Sequence, residues 1–287
     1  MTTPPIGWYP GHIAKAEKQL KEQLKRVDVV LEVRDARIPL ATEHPQVQEW
    51  TGGKTRVLVL NRVDMISPQV RQLWAEWFQA QGETPYYTNA QHGTGVAAVA
   101  KAAAEAGVVI NRRRRSRGML PRPVRAVVIG FPNVGKSALI NRLLKRRVVE
   151  SARRAGVTRQ LRWVRISDQL DLLDAPGVIP LKLDFQEDAL KLAICDDIGE
   201  ASYDNQRVAA VLVDLLKDLE ITAAGLLPAS PLQSRYELDP TPVTGEEYLK
   251  NLAIHRHKGD VERTARQLLN DFRTGMLGAI PLELPLN

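Results

Sequence analysis

Short apolar runs alternate with amphipathic stretches over the first two thirds of the chain. Val27–Val33 (VDVVLEV), Arg56–Leu60 (RVLVL), Pro85–Thr88, Val124–Ile129 (VRAVVI), Leu161–Ile166 and Gln169–Leu173 are short and mostly bounded by turn residues, and they read as strands. Helical patterns lie between them. Ile13, Leu20, Leu24 and Val27 share one face, with Lys15, Lys18, Lys21 and Lys25 around the rest. Ser67–Pro68 supplies an N-cap and a first-position proline to a helix carrying Val70, Leu73, Trp74, Trp77 and Phe78 inward as core. Thr94–Gly95 opens an alanine-rich helix expected to end near Gly107. Such alternation predicts an α/β fold with a mostly parallel sheet and helices on both faces. From about Leu190 the pattern is helical only. Val208, Val211, Leu212, Leu215 and Leu219 form one face and Tyr248, Leu249 and Leu252 another. Val261, Ala265, Leu268, Leu269 and Phe272 form a third, begun by Gly259–Asp260 as break and cap. The expected division is therefore an α/β domain over 1–187 and a small all-helical domain over 188–287.

Chemistry enters at Gly130–Ser137 (GFPNVGKS), which fits G-x-x-x-x-G-K-[ST] between an apolar strand and a helix with Leu139, Ile140, Leu143 and Leu144 on one face. Gly130 and Gly135 let successive N–H groups turn toward phosphate oxygens, and the helix N-terminus adds its positive end. Lys136 is expected to reach the β- and γ-phosphates, and the Ser137 hydroxyl to ligate Mg²⁺. Two further signatures choose the base. Asp174–Gly177 (DAPG) is D-x-x-G at a strand end, with Asp174 holding Mg²⁺ through water and the Gly177 amide meeting the γ-phosphate. Asn61–Asp64 (NRVD) is N-[K/R]-x-D at another strand end. Asp64 there accepts from both N1–H and N2–H₂ of guanine; adenine would leave it unsatisfied. The base-reading pieces, Asn61–Asp64 and Thr88–Ala90, precede the phosphate loop, the reverse of the usual order. That order predicts a circularly permuted GTPase domain, which closed domains with neighbouring termini tolerate.

Composition adds three constraints. Lys and Arg outnumber Asp and Glu by 40 to 33, a net charge of +7 that tilts toward a polyanionic partner. Arginines at 112, 113, 114, 115, 117 and 122 crowd Asn111–Pro123, which reads as a linker making RNA or phosphate contact. Cys195 is the sole cysteine, so no intrachain disulfide or cysteine-built metal site is expected. No membrane span is expected, and MTTPPIGWYPGH has neither a secretory nor a transit pattern, so a cytoplasmic location is expected.

The permutation, Trp8–His12 (WYPGH), Asp35–Pro39 (DARIP), NRVD, GFPNVGKS, the Gly156–Thr158 triplet and DAPGV together resemble the YlqF/RbgA family of ribosome-assembly GTPases over nearly the whole chain. The resemblance implies a GTPase that binds a large ribosomal subunit precursor and its rRNA in the GTP state and leaves after hydrolysis. No membrane or DNA partner is expected. The carboxy-terminal helices resemble that family's RNA-binding domain. Residue by residue, it implies Thr158 as the switch threonine on Mg²⁺ and the γ-phosphate, Asn133 as a K⁺ ligand, and His12 as the group that positions water, because Val178 stands where a glutamine is common. His12 equally suits a structural hydrogen bond at a helix start. The nucleotide set is then Asn61, Arg62, Asp64, Asn89, Ala90, Asn133, Val134, Gly135, Lys136, Ser137, Ala138, Thr158 and Gly177, with His12, Lys136 and Thr158 in catalysis. Three positions depart from the pattern: Arg62 for lysine, Asn89–Ala90 for Ser-Ala, whose backbone amide still suits guanine O6, and Ala138 for a hydroxyl residue. The rival readings are a nucleotide-gated RNA-binding scaffold in which hydrolysis has no role, and a GTPase of tRNA modification or signalling.

Overall fold

The computed structural model describes residues 20–144, 162–174, 186–199 and 203–285. The described residues fall into two compact units: 20–63 with 77–174, and 64–76 with 186–285.

The first unit is built on six strands: β1 (Val29–Asp35), β2 (Thr55–Asn61), β3 (Tyr86–Thr88), β4 (Val124–Ile129), β5 (Arg162–Ser167) and β6 (Leu170–Asp174). Their spatial order is β3-β2-β1-β4-β6-β5, parallel except for the edge strand β5, which runs against β6. The helices that return the chain between strands within this unit are α1 (Val47–Thr51), α3 (Val96–Ser116) and α4 (Lys136–Leu143), whereas most of α2 (Pro68–Ala80) belongs to the second unit. Both faces are covered. On one, Val30, Val127, Ile129 and Leu173 bury against Leu20, Leu24, Val27, Val47 and Trp50. On the other, α3 approaches β4 so closely that a Cβ on Gly107 would overlap the Val124 side chain. Order runs outward in one direction through β1, β2 and β3 and in the other from β4, so the switch point lies between β1 and β4. Ligands of such sheets bind at the carboxyl ends of the strands there.

Two expectations change. Helix α3 does not stop at Gly107 but runs to Ser116, so Asn111–Ser116 is helix rather than linker. Gly107 is a packing residue there, and arginine both favours helix and complements the negative end of the dipole. The chain turns only at Gly118, in the left-handed region at φ 70°, with Met119 N donating to Arg114 O. Arg122 is structural: it forms a double ion pair with Asp28 (2.6 and 2.9 Å), and its backbone is held by Asn111. The first strand is also two residues late, ending on the charged Asp35 rather than at Val33.

The second unit contains α5 (Gln186–Ile194), α6 (Asn205–Thr222), α7 (Pro231–Tyr236), α8 (Gly245–His257) and α9 (Val261–Arg273). Each long helix is started by a side chain that accepts a backbone N–H: Asp204 from Arg207, Thr244 within a reciprocal box with Glu247, and Asp260 from Arg263. Helix α6 packs against α5, α8 and α9. Enclosed on several sides, it buries Ala209, Val213 and Leu216 along with Val208 and Leu212, while the expected Val211, Leu215 and Leu219 are half-buried. Asp271 is buried and accepts from Arg235 Nε (2.9 Å) and Tyr236 Oη (3.0 Å). Burial and the facing carboxylate push the Tyr236 phenol above its ordinary range. Among the described residues, no helix is long and apolar enough to cross a membrane.

Candidate nucleotide-binding site

Three polar residues stand in one row at the carboxyl ends of neighbouring strands: Asp35 pairs in register with Asn61, and Asn61 with Thr88. All three are buried. The row meets the phosphate loop, which leaves β4 at Gly130 (φ 147°) and enters α4 through Gly135 (φ 102°). A side chain at Gly130 would overlap Val33 O, and one at Gly135 would overlap Asn61 Nδ2, so both glycines are required by close approach.

Asn61 ties three segments together. Its Nδ2 donates to Val134 O (2.8 Å), while its Oδ1 accepts from Thr88 Oγ1 and from Ala90 N (3.0 Å each). The two motifs lie some seventy residues apart in sequence, yet they share a hydrogen bond. The Ala90 amide is turned toward Asn61, so a guanine O6 would share or displace that bond. The Ala90 turn is closed by a bridge between Asn89 and Thr94, and Arg142 of α4 donates to Ala90 O (3.2 Å) and to Gln91 O. Asp64 lies in a short 3₁₀ turn, Val63–Met65, directly after Asn61–Arg62, and is exposed.

Sequence reasoning used Asp35–Pro39 only as a motif of the family resemblance and gave it no role in the site. In the structure it is part of the site. Asp35 accepts from Arg37 Nε (3.0 Å), Arg37 NH2 (2.7 Å) and the Arg37 backbone N–H (2.9 Å). Arg62 NH1 reaches the same carboxylate at 2.8 Å while its NH2 donates to Asn133 O in the phosphate loop at 2.7 Å. Arg62 and Asn133 both hold left-handed backbone conformations, at φ 62° and 57°. Burial alone would raise the Asp35 pKa, but the guanidiniums of Arg37 and Arg62 outweigh it and hold the carboxyl at about 2. A lysine at 62 has no planar fork with which to span Asp35 and Asn133. The legible signal was the polar residues Glu32, Arg34 and Asp35 within an otherwise apolar strand. Arg34 is likewise buried, bonded to Glu32 (2.7 Å) and Glu43 (2.9 Å), and these carboxylates raise its pKa against the opposing effect of burial.

The loop suits a phosphate anion. Helix α4 starts without a side-chain cap, which leaves its first N–H groups for ligand oxygens. Lys136 is buried, its ammonium donating to Gly130 O (3.2 Å) and Phe131 O (2.6 Å) at the loop's own rim. Ser137 and Ala138 follow in the first turn, both half-buried. Asp174 is the last residue of β6, paired in register with Val128 just before the phosphate loop, and its side chain lies outside the described set. His12, Thr158 and Gly177 lie outside the described residues.

A family model described as a 50S ribosome-binding GTPase matches residues 125–227. A Ribosome biogenesis GTPase A of Bacillus cereus is 33% identical, covering 98% of this chain and 94% of the relative. One from Thermotoga maritima is 26% identical over 98% of this chain and 95% of its own. Among solved structures, the crystal structure of GNP-bound YlqF from T. maritima aligns with a TM-score of 0.66 at 22% identity, covering 95% of this chain and 99% of that one. That likeness carries the fold, a circularly permuted GTPase domain with a helical one. With this permuted order, a guanine motif bonded to a phosphate loop, and a third of its residues shared end to end with such a relative, the chain belongs to the Ribosome biogenesis GTPase A (YlqF/RbgA) family.

Proposed function

We propose that the protein hydrolyses GTP to GDP and phosphate and assists late assembly of the large ribosomal subunit, binding the precursor and its rRNA in the GTP state. The observation that supports this reading is the Asn61 Nδ2–Val134 O bond at 2.8 Å, which ties the N-[K/R]-x-D segment directly to the phosphate loop. Asp64 accepts from the guanine edge, Asn61 and Arg62 hold the loop, and Asn89–Ala90 supplies the backbone amide toward O6. The N–H groups of Val134, Gly135, Lys136, Ser137 and Ala138 cradle the phosphates. Lys136 exchanges its two carbonyl partners for phosphate oxygens and offsets their charge.

The residues for Mg²⁺ are Ser137, Thr158 and Asp174. Asn133 is the residue for K⁺, its backbone fixed by Arg62. The metals supply charge stabilisation when bound. His12 orients the attacking water, and the Gly177 amide meets the γ-phosphate. With no arginine finger or glutamine in the motifs, turnover alone is slow, and a ribosomal precursor accelerates it by bringing His12 to the water. The helices of 188–287 are assigned to RNA.

The test is guanine-nucleotide affinity and GTP turnover in K⁺ against Na⁺, with and without large ribosomal subunits. The expected outcome is GTP-selective binding, turnover that rises with K⁺ and with particles, and loss of stimulated turnover in His12→Ala with binding intact. Tight binding with no turnover under any condition would instead leave a nucleotide-gated scaffold. Absence of nucleotide-dependent co-migration with large-subunit particles on sucrose gradients would remove the ribosomal assignment.

A further inference from the structure

The pole of the first unit opposite the nucleotide site carries a second concentration of functional side chains. At the amino-terminal ends of the parallel strands, Arg125 of β4 pairs in register with Asp171 of β6, and Asp171 with Arg165 of β5. Arg165 Nε donates to Asp171 (2.7 Å), while the Arg125 guanidinium lies over the Trp163 ring, 5.7 Å from its centroid. Trp163 remains 39% exposed. With Arg26 these side chains line an open groove of about 520 Å³. A second groove of about 490 Å³ lies between the arginine end of α3, including Arg112 and Arg115, and the Asp168–Gln169 turn that joins β5 to β6. The strands that line the first groove, β5 and β6, are joined by the turn that lines the second.

The charge at this pole is unbalanced. Asp28 and Asp171 are already engaged by Arg122 and Arg165. Among the described residues no ion pair engages Arg26, Arg112, Arg113, Arg115, Arg117 or Arg125. Guanidiniums in such density favour phosphate, and an exposed indole flanked by one adds a stacking surface that an acidic peptide or an intact duplex would leave unused. The charged Arg165 on the edge strand also discourages addition of a β-strand from another protein.

We propose that this pole binds single-stranded RNA, with Trp163 stacking an unpaired base and Arg26, Arg125 and the α3 arginines taking the backbone phosphates. The proposal rests on the ribosomal reading above for its RNA source and adds a site on the GTPase unit itself. Strands of about six residues separate it from the nucleotide by roughly 20 Å, so RNA here leaves the nucleotide site open.

The test uses the full chain loaded with a non-hydrolysable GTP analogue and a fluorescein-labelled unstructured RNA of roughly 12 nucleotides, with anisotropy read between about 50 and 200 mM salt. Trp163→Ala is expected to weaken binding about tenfold and Trp163→Phe to retain most of it, with nucleotide affinity unchanged in both. Arg125→Ala and the pair Arg113→Ala/Arg115→Ala should each flatten the salt dependence, by about 0.7 in slope for every phosphate no longer neutralised. Ultraviolet crosslinking should mark the peptide containing Trp163. Wild-type binding that none of these variants alters, with crosslinks only in 188–287, would overturn the proposal and leave the ribosomal reading standing. Equal Trp163-independent binding of duplex RNA or polyglutamate would overturn it too. A wild-type chain that binds no RNA would remove the RNA partner of the ribosomal reading, and this site with it.

Discussion

Asp35→Asn tests the ionic support beneath the nucleotide site. The native carboxylate is fully buried and carries the positive charge of two guanidiniums, one of them, Arg37, also fully buried. The amide keeps the shape but removes the negative charge that faces both Arg37 and Arg62. Breaking one partner of a buried pair in this way costs about 3–5 kcal/mol. For a chain of this size that corresponds to a fall in Tm of roughly 6–20 °C. The pH dependence gives an independent handle. The Asp35 carboxyl sits at about 2 when folded against 3.8 in the reference state, so its stabilisation is present above the unfolded value and is lost as pH falls through the folded one. The shift is worth about 2 kcal/mol. Urea unfolding of both chains from pH 6 down to 2 should therefore show the gap between wild type and variant narrowing below about pH 4. Because Arg62 also holds Asn133 O, dissociation of a fluorescent GDP analogue should quicken in the variant. A stability loss under 1 kcal/mol at pH 6 (too small for a broken buried pair), together with an unchanged dissociation rate, would refute the reasoning.

Asp64→Asn exchanges an acceptor pair for a group that can donate, so GTP affinity should fall by about a hundredfold or more while xanthosine triphosphate gains, as competition binding would report. Asn61→Ala removes three hydrogen bonds that join β2, the Ala90 turn and the phosphate loop; GDP affinity should fall at least as far, with a Tm loss equivalent to about 2–4 kcal/mol. Gly107→Ala should destabilise by about 1–3 kcal/mol despite alanine's better helix propensity, because the new methyl overlaps Val124; adding Val124→Ala should restore stability in the same denaturation assay.

The sequence by itself determined the architecture and the family. Strand and helix periods are local, so β2, β3, β4 and the helices starting at Pro68 and Val96 were legible from the spacing of apolar residues, and the start of α9 from its cap at Asp260. The order of NRVD before GFPNVGKS was enough for the permutation, because motif order is itself a property of sequence. Where sequence reasoning failed, the deciding partner was distant. Gly107 resembled a helix end because its neighbour Val124, which makes it a packing residue, lies across a crossover. The face of α6 was misjudged because helices that enclose it arrive from later in the chain. Tertiary structure alone decided that Asp35, Arg62 and Asn133 form one continuous support, since parallel strands bring together carboxyl ends that no local pattern links. It decided equally that Arg122 is a structural ion pair while its neighbours on α3 face water, for only the position of Asp28 separates one arginine from the others.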